Sequence, residues 1–384
     1  MRLLVTGGAG FIGANFVHRA LAVGDQITVY DALTYAGNPD NLSDLDGHDG
    51  YRFVHADVRD AEALSAEMVD CDAVVHFAAE SHVDRSIADP APFVSTNCGG
   101  TATVCEVALR VGVERVVHVS TDEVYGSVAE GSSSEEDRLA PSSPYAASKA
   151  ASDLIALAYH HTHGLPVLVT RSSNNYGPLQ HLEKVIPLFV TSLLAARPVP
   201  VYGDGGNVRD WCHVDDNCDA IDLVLRVGEP GTVYNVGAGN ELTNLELVAR
   251  LLGLCGAAPS LVEMVEDRPG HDRRYSVDAA RYGRWVGRPP GASTRVWRQP
   301  STGIGTTGGG GSRYGTGTSD NTGHRGRRSA GAGHRSGVDL HRRGGRPGPD
   351  RAGRDRPGRG ARCGGRPPAG GRRQLRGLDR RGRL

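Results

Sequence analysis

The sequence predicts an α/β fold, a doubly wound parallel sheet followed by a smaller second domain, and three observations predict it. Short β-branched runs alternate with longer helical patterns through the first half, the alternation that a parallel sheet with crossover helices requires. A glycine-rich turn, Gly7-Gly8-Ala9-Gly10-Phe11-Ile12-Gly13, stands between the first such run and the first helical pattern. Charge and glycine content then break near residue 284: residues 1–283 hold 19 basic and 39 acidic side chains, whereas residues 284–384 hold 24 arginines, five aspartates and 27 of the 53 glycines. The formal charge of −1 over 384 residues therefore averages two chemically unrelated segments.

The β-branched runs place strands at residues 2–6, 26–30, 52–56, 73–77, 115–120 and 167–171. Phe16, Val17, Ala20 and Leu21 recur at helical spacing, so a helix joins the first two strands. Beyond Ser172 the pattern loosens into loops and a few helices, of which 244–254 is the clearest. The expected organisation is a sheet domain over 1–171, a smaller substrate-binding domain over 172–283 with some segments returning to the first, and a tail over 284–384. That tail holds only eight Leu, Ile and Val and no Phe, too little apolar surface to offset ordering entropy, so it is expected to be disordered.

No stretch approaches the ~18 apolar residues of a membrane span. The chain opens on MRLLVTGG with no charged leader before an apolar run, so a cytoplasmic protein is expected. Cys71, Cys98, Cys105, Cys212, Cys218, Cys255 and Cys363 are scattered without a CxxC pair, which suggests neither a disulfide framework nor zinc. His160, His161 and His163 read as a solvated helix end, and no metal is expected.

The glycine turn follows a strand and opens a helix, the context that gives such a fingerprint meaning. Gly7 permits the tight turn, Gly10 lets the backbone approach a pyrophosphate, and Gly13 allows close helix–strand packing, with the helix N-terminus facing the phosphates. The sheet is thus Rossmann-type. Asp31, 24 residues after Gly7, ends the second strand where a carboxylate accepts hydrogen bonds from adenosine ribose hydroxyls and repels a 2′-phosphate, so NAD is expected rather than NADP. Asp57 and Val58, closing the third strand, are placed for the adenine.

Tyr145 and Lys149 stand four residues apart, hence on one face of the helix expected after Pro144. A phenol near pKa 10 is a poor base, but a neighbouring ammonium and a cationic nicotinamide favour the phenolate. Against 41 Arg there are only two Lys, so the retention of a compact ammonium at 149 is notable. Thr121-Asp122-Glu123-Val124-Tyr125-Gly126 falls at the end of the fifth strand, where an open α/β sheet binds ligands. Once a sugar C4 hydroxyl becomes a ketone, the C5 proton is acidified; one carboxylate can remove it while a protonated carboxyl assists departure of the C6 hydroxyl.

With these motifs in place, the sequence resembles the extended short-chain dehydrogenase/reductases and, within them, the dTDP-glucose 4,6-dehydratases. The likeness runs from residue 1 to about 278 through DALTYAGN (31–38), HFAAESHVDRSI (76–87), STDEVYG (120–126), SPYAASK (143–149), TRSSNNYGP (170–178), EKVIPLF (183–189), GNVRDW (206–211) and DRPGHDRRY (267–275). The resemblance implies conversion of dTDP-glucose to its 4-dehydro-6-deoxy form, by a homodimer that regenerates its NAD. It makes Tyr145 the oxidation base, Thr121 the holder of the sugar O4, Glu123 the C5 base and Asp122 the C6 acid. It assigns Phe11, Ile12, Ala32, Leu33, Thr34, Phe77, Ala78, Ala79, Glu80, Ser81, Thr96, Tyr145, Lys149 and Asn175 to the NAD side. Ser81, Asn174, Lys184, Val185, Pro200, Val201, Tyr202, Arg209, Asn244, Asp267, Arg268, Pro269, Gly270 and His271 fall at nucleotide-sugar positions, where Lys184 and Arg209 suit a diphosphate.

Competing classes separate at a few residues. A nucleotide-sugar 4-epimerase keeps the tyrosine and lysine but lacks the acidic pair, and GDP-mannose 4,6-dehydratases prefer NADP and lack the aspartate of that pair. A non-enzymatic NAD-binding remnant is the third class, suggested by the unusual C-terminus.

Members of the resembled family end in a segment like LGW followed by GLAATVDWYRDNRGWWEP. Here Arg284-Trp285-Val286-Gly287 stands instead. Taking the last base of each codon with the first two of the next, Trp285 into Val286 must give Gly, and the flanking junctions allow Leu and Trp. The same shift from Thr294 to Arg313 allows AGLAATVDWYRDNRGWWEP without a break. We therefore expect a frame change between about residues 278 and 284, with the rest an out-of-frame translation of GC-rich DNA. A genuine Arg/Gly tail would instead bind polyanions such as nucleic acid in a salt-dependent way.

Overall fold

In the computed structural model the described residues are 1–286, so the segment read as a disordered, out-of-frame tail lies outside them beyond Val286. The strands are β1 (Arg2–Thr6), β2 (Gln26–Asp31), β3 (Tyr51–His55), β4 (Ala73–His76), β5 (Arg115–Thr121), β6 (Val167–Ser172), β7 (Asn174–Tyr176), β8 (Val199–Tyr202), β9 (Val208–His213), β10 (Val233–Val236), β11 (Glu241–Thr243) and β12 (Val262–Val265). Seven form one parallel sheet in the order β10-β6-β5-β4-β1-β2-β3. The order reverses between β1 and β4, the switch point where such sheets open a crevice beyond their strand ends. The six strands expected from sequence are present, each within a residue of its expected bounds. β10 was not foreseen; its four residues, all buried, join the sheet beside β6.

The helices are α1 (Phe11–Ala22), α2 (Ala61–Met68), α3 (Val83–Ala88), α4 (Ala91–Phe93), α5 (Thr101–Val111), α6 (Pro144–His163), α7 (Val185–Leu194), α8 (Val214–Val227), α9 (Asn244–Cys255) and α10 (Ala280–Val286). Successive side chains of a strand point to opposite faces. Leu3, Val5, Val29 and Val75 accordingly pack with α1 and α8 on one side, while Leu4, Val74, Val116 and Val167 pack with α2, α5 and α6 on the other. Both faces are covered, which is why these strands read as nearly continuous apolar runs. A π-helical turn, Val94–Gly100, joins α4 to α5; such bulges recur at functional sites.

A separate apolar core lies among Tyr176, Phe189, Leu193, Val201, Trp211, Leu247 and Leu251. It gathers α7 and α9 around two small sheets, β11-β9-β7 and β12-β8. α9 begins with a capping box in which Thr243 and Glu246 satisfy each other's backbone N–H groups, and it ends on Gly256 in the left-handed region. Cys105, Cys212 and Cys218 are buried as small core residues.

Candidate active site

The glycine turn is held by contact distances. A Cβ on Gly7, whose φ is +69°, would lie 2.6 Å from the backbone N of Ala78, and one on Gly13 would lie 2.3 Å from the carbonyl of Gly7. A Cβ on Gly10 would meet only the Gly7 carbonyl, at 3.3 Å, so this position is bare toward a cavity of about 430 Å³. Gly10 is also the N-cap of α1 and supplies no side-chain cap, which leaves the first-turn N–H groups for an anion. Asp31 closes β2 beside this turn, its Oδ2 accepting from the Ala9 N–H at 2.9 Å and its Oδ1 from the Leu33 N–H at 2.8 Å. Burial raises the Asp31 carboxyl while those two N–H groups oppose the rise. A bare phosphate cradle with a carboxylate at the neighbouring strand end fits NAD.

At the end of β5, Thr121 caps a 3₁₀ turn, Asp122–Tyr125. Its Oγ1 accepts from the Glu123 N–H at 3.3 Å and donates to Asp122 Oδ1 at 3.4 Å. α6 starts on the Ser143 cap with Pro144 in its first turn, as a fixed φ and a missing N–H allow. That start sets Tyr145 and Lys149 on one face. The Lys149 ammonium donates to the Val119 carbonyl at 2.8 Å, and the Thr121 side chain lies beside the Tyr145 phenol and opposes the rise of its pKa.

The environments separate the two carboxyls. Burial, then the charges of Glu123 and Asp210, push Asp122 well above the carboxylate range; it is 2% exposed, and its Oδ2 has no hydrogen-bond partner among the described residues. Burial also raises Glu123, but the cations of Arg209, Arg268 and Lys184 oppose it. Burial lowers Lys149 to about 8, against the pull of Asp153. Burial and the Glu123 charge hold the Tyr145 phenol well above its ordinary value. In the chain without its coenzyme desolvation prevails over the phenolate that the lysine and a cationic nicotinamide are together expected to favour.

The cavity brings together Gly7, Gly10, Phe11, Ile12, Gly13, Asp31, Ala32, Thr34, Asp57, Val58, Phe77, Ala78, Ala79, Glu80, Ser81, Thr96, Thr121, Glu123, Tyr145, Lys149, Asn174, Asn175, Lys184 and Val185. Leu33 is not in its lining; with φ at +49° it turns to pack on the core beside α1. Asp122, next in the chain to Glu123, is also absent from the lining, as are the remaining sugar-side candidates, most of which gather in a second cluster. There Arg209 donates to the Asp272 carbonyl at 2.9 Å and lies 4.1 Å over the Tyr275 ring. His271 and Asp267 meet at 2.6 Å, Arg268 pairs with Asp84 at 2.9 Å, and Tyr202 meets His271 edge to face. Gly270 is left-handed, Pro269 and Pro200 are exposed, Val201 is a core side chain, and Asn244 opens α9. Sequence reasoning missed Arg59, Gln180, His181 and Trp211 in the lining. Arg59 alone carried a local signal, two residues beyond Asp57, with which it pairs at 2.5 Å.

Residues 3–237 match the NAD dependent epimerase/dehydratase family. The chain is 54% identical over 287 residues to a dTDP-glucose 4,6-dehydratase of Streptomyces niveus, covering 73% of this chain and 85% of that protein. It is 51% identical over 282 residues to the low-salt glycan biosynthesis protein Agl12 of Haloferax volcanii, covering 73% and 91%. Among solved structures, DesIV, a dTDP-glucose 4,6-dehydratase from Streptomyces venezuelae with NAD and TYD bound, superposes with a TM-score of 0.74 at 56% identity, over 77% of this chain and 93% of that one. The chain therefore belongs to the NAD dependent epimerase/dehydratase family and, within it, to the dTDP-glucose 4,6-dehydratases.

Proposed function

We propose that the chain is an NAD-dependent hydro-lyase that converts dTDP-glucose to dTDP-4-dehydro-6-deoxyglucose for deoxysugar biosynthesis. The observation that carries this reading is the Asp122–Glu123 pair beside Thr121 and Tyr145, its two carboxyls in different environments: Asp122 is buried and Glu123 lines the cavity. Gly7, Gly10, Gly13 and Asp31 would hold NAD, which would supply a hydride acceptor for sugar C4 and a hydride donor for C6. Tyr145 takes the proton from O4, and Thr121 hydrogen-bonds that oxygen. Glu123, whose basicity is moderated by Arg209, Arg268 and Lys184, removes the C5 proton. Asp122 retains its proton until the C6 hydroxyl departs as water. Glu123 returns a proton to C5 after the hydride arrives at C6, so one water is lost and the coenzyme is unchanged. A 4-epimerase has no use for the acidic pair.

The same reading gives Ser81, Asn174, Lys184, Val185 and the cluster around Arg209 and Asp267–His271 to the nucleotide sugar. It divides the chain at about residue 171. It also includes a cytoplasmic homodimer, supported by Leu154 of α6 and Val94 of the neighbouring π turn, 59% and 57% exposed. No helix among the described residues is long and apolar enough to cross a membrane. The 39 acidic side chains of residues 1–283 disfavour nucleic acid as a partner for that segment. The test is incubation with NAD and dTDP-glucose in deuterium oxide. A 4-keto-6-deoxy product with deuterium at C5 is expected; a 4-epimer with unlabelled C5, or no product from folded NAD-bound protein, defeats the reading.

A further inference from the structure

Below the catalytic face, a column of buried polar side chains joins elements far apart in the chain. Asp153, fully buried, lies on α6 one turn beyond Lys149 and two beyond Tyr145. Its Oδ2 accepts from Nε of Arg171, on β6, at 2.9 Å. Nη1 of the same guanidinium donates to the Tyr125 hydroxyl at 2.8 Å, and its carbon lies 4.9 Å from the centre of the Tyr125 ring. Tyr125 ends the 3₁₀ turn that begins at Asp122. Its hydroxyl donates onward to Asn235 Oδ1, on β10, at 2.8 Å, and Asn235 Nδ2 donates to the carbonyls of Ser133 and Asp278. Asp153, Arg171, Tyr125 and Asn235 are all absent from the cavity lining.

The other groups facing Asp153 are Lys149 of α6 and His118 of β5, whose Nε2 lies 3.3 Å from Oδ1. The ring of His76 of β4 lies tilted against that of His118, their centroids 5.4 Å apart. Burial lowers both histidines, His118 to about 4, so neither carries charge at neutral pH. The Lys149 ammonium faces the Asp153 carboxylate from one turn away on α6, and the cation hydrogen-bonded to that carboxylate is Arg171. Its planar fork presents donors at set angles to two partners, which a single ammonium does not reproduce.

We propose that Arg171 is a positioning residue, its fork locking the turn that carries Asp122 and Glu123 to the helix that carries Tyr145 and Lys149. Oxidation at C4 and elimination across C5 and C6 then act in register on one bound sugar. The proposal rests on the dehydratase reading above. Such registration matters because a displacement of about 1 Å can cost about 10²-fold in rate.

The test uses the full chain loaded with NAD and mixed rapidly with dTDP-glucose. Absorbance of reduced nicotinamide reports oxidation, and the 4-keto-6-deoxy product reports completion. In Arg171→Met, oxidation is expected to persist while product formation falls about tenfold or more, so reduced nicotinamide accumulates. Tyr125→Phe removes one hydroxyl and leaves no buried charge; it should show the same split in milder form, and it decides the matter if Arg171→Met does not fold. Equal slowing of both steps, or a lowered melting temperature with both rates unchanged, overturns the proposal alone. A wild-type chain that makes no ketone product overturns the dehydratase reading and the proposal with it.

Discussion

Lys149 donates to the carbonyl of Val119 at 2.8 Å, which pins the ammonium against β5, two residues before Thr121. The lysine is therefore fixed to the strand that presents the acidic pair as well as to the helix that presents Tyr145.

Replacing Lys149 by Met should slow hydride transfer by about 10²–10³-fold, within the range for loss of one proton-transfer aid. Because burial lowers the ammonium to about 8, its help to the phenolate is present below that pH and fades above it. Single-turnover oxidation should rise with pH and bend near 8 in the wild type. A bend that persists unchanged in the Met variant would assign it to another group.

Asp122 holds its proton to a higher pH than an unfolded carboxyl does. Above the ordinary carboxylate range the unfolded chain ionises first, which penalises the native state. Asp122→Asn should raise the melting temperature at neutral pH, with the gain shrinking toward acid, while elimination is lost and oxidation continues. Calorimetry at pH 7 showing a lower melting temperature contradicts this.

His118 has the opposite sign of charge and loses stability on the acid side. Burial first, and then the Lys149 charge, lower it from 6.5 to about 4, so only the unfolded chain takes up this proton between those values. Native stability should fall by about 3 kcal/mol as pH drops through that window. Denaturant titrations of His118→Gln should show a correspondingly flatter acid limb.

Two glycines of the turn should respond differently to alanine. Gly13→Ala places a methyl 2.3 Å from a carbonyl oxygen and should cost about 1–3 kcal/mol of stability. Gly10→Ala meets its nearest atom at 3.3 Å; it should keep its melting temperature yet weaken NAD binding by filling the phosphate approach. Binding titrations with both variants check the contrast.

Sequencing the DNA from the codon of Val277 through that of Arg313 tests the frame change, and a chain rebuilt in the shifted frame tests its consequence. The rebuilt chain regains a segment rich in Trp and Tyr, whose burial would stabilise by a few kcal/mol against a total of about 5–15. It should melt several degrees higher than the 384-residue chain and turn over faster. Equal melting temperatures and rates would speak for a genuine Arg/Gly tail.

Features set by neighbouring residues could be read from the chain directly. Gly7, Gly10, Gly13 and Asp31 lie within one strand–helix–strand unit, and five of the first six strands carry buried apolar residues, β3 being only partly buried. β10 escaped because four residues show no period, and its place beside β6 depends on pairing Val233 with Val169. Arg209 acting on Glu123, and Arg171 reaching both Asp153 and Tyr125, join distant positions whose types carry no local pattern. The burial that raises the Tyr145 phenol was not legible for a related reason: neighbours can be read from spacing, but desolvation depends on the whole surrounding fold.

The grip of Asp31 on the N–H groups of Ala9 and Leu33 fixes, from the chain's own bonds, the end of the cradle proposed for adenosine. Little ordering then remains to be done when the dinucleotide arrives, and affinity is not spent on shaping the loop. Since the borrowed hydride is restored within each cycle of the proposed reaction, nothing requires the coenzyme to leave between turnovers. The dinucleotide would then serve as a resident prosthetic group, and flux would follow the supply of sugar nucleotide while standing apart from swings in the cell's redox balance.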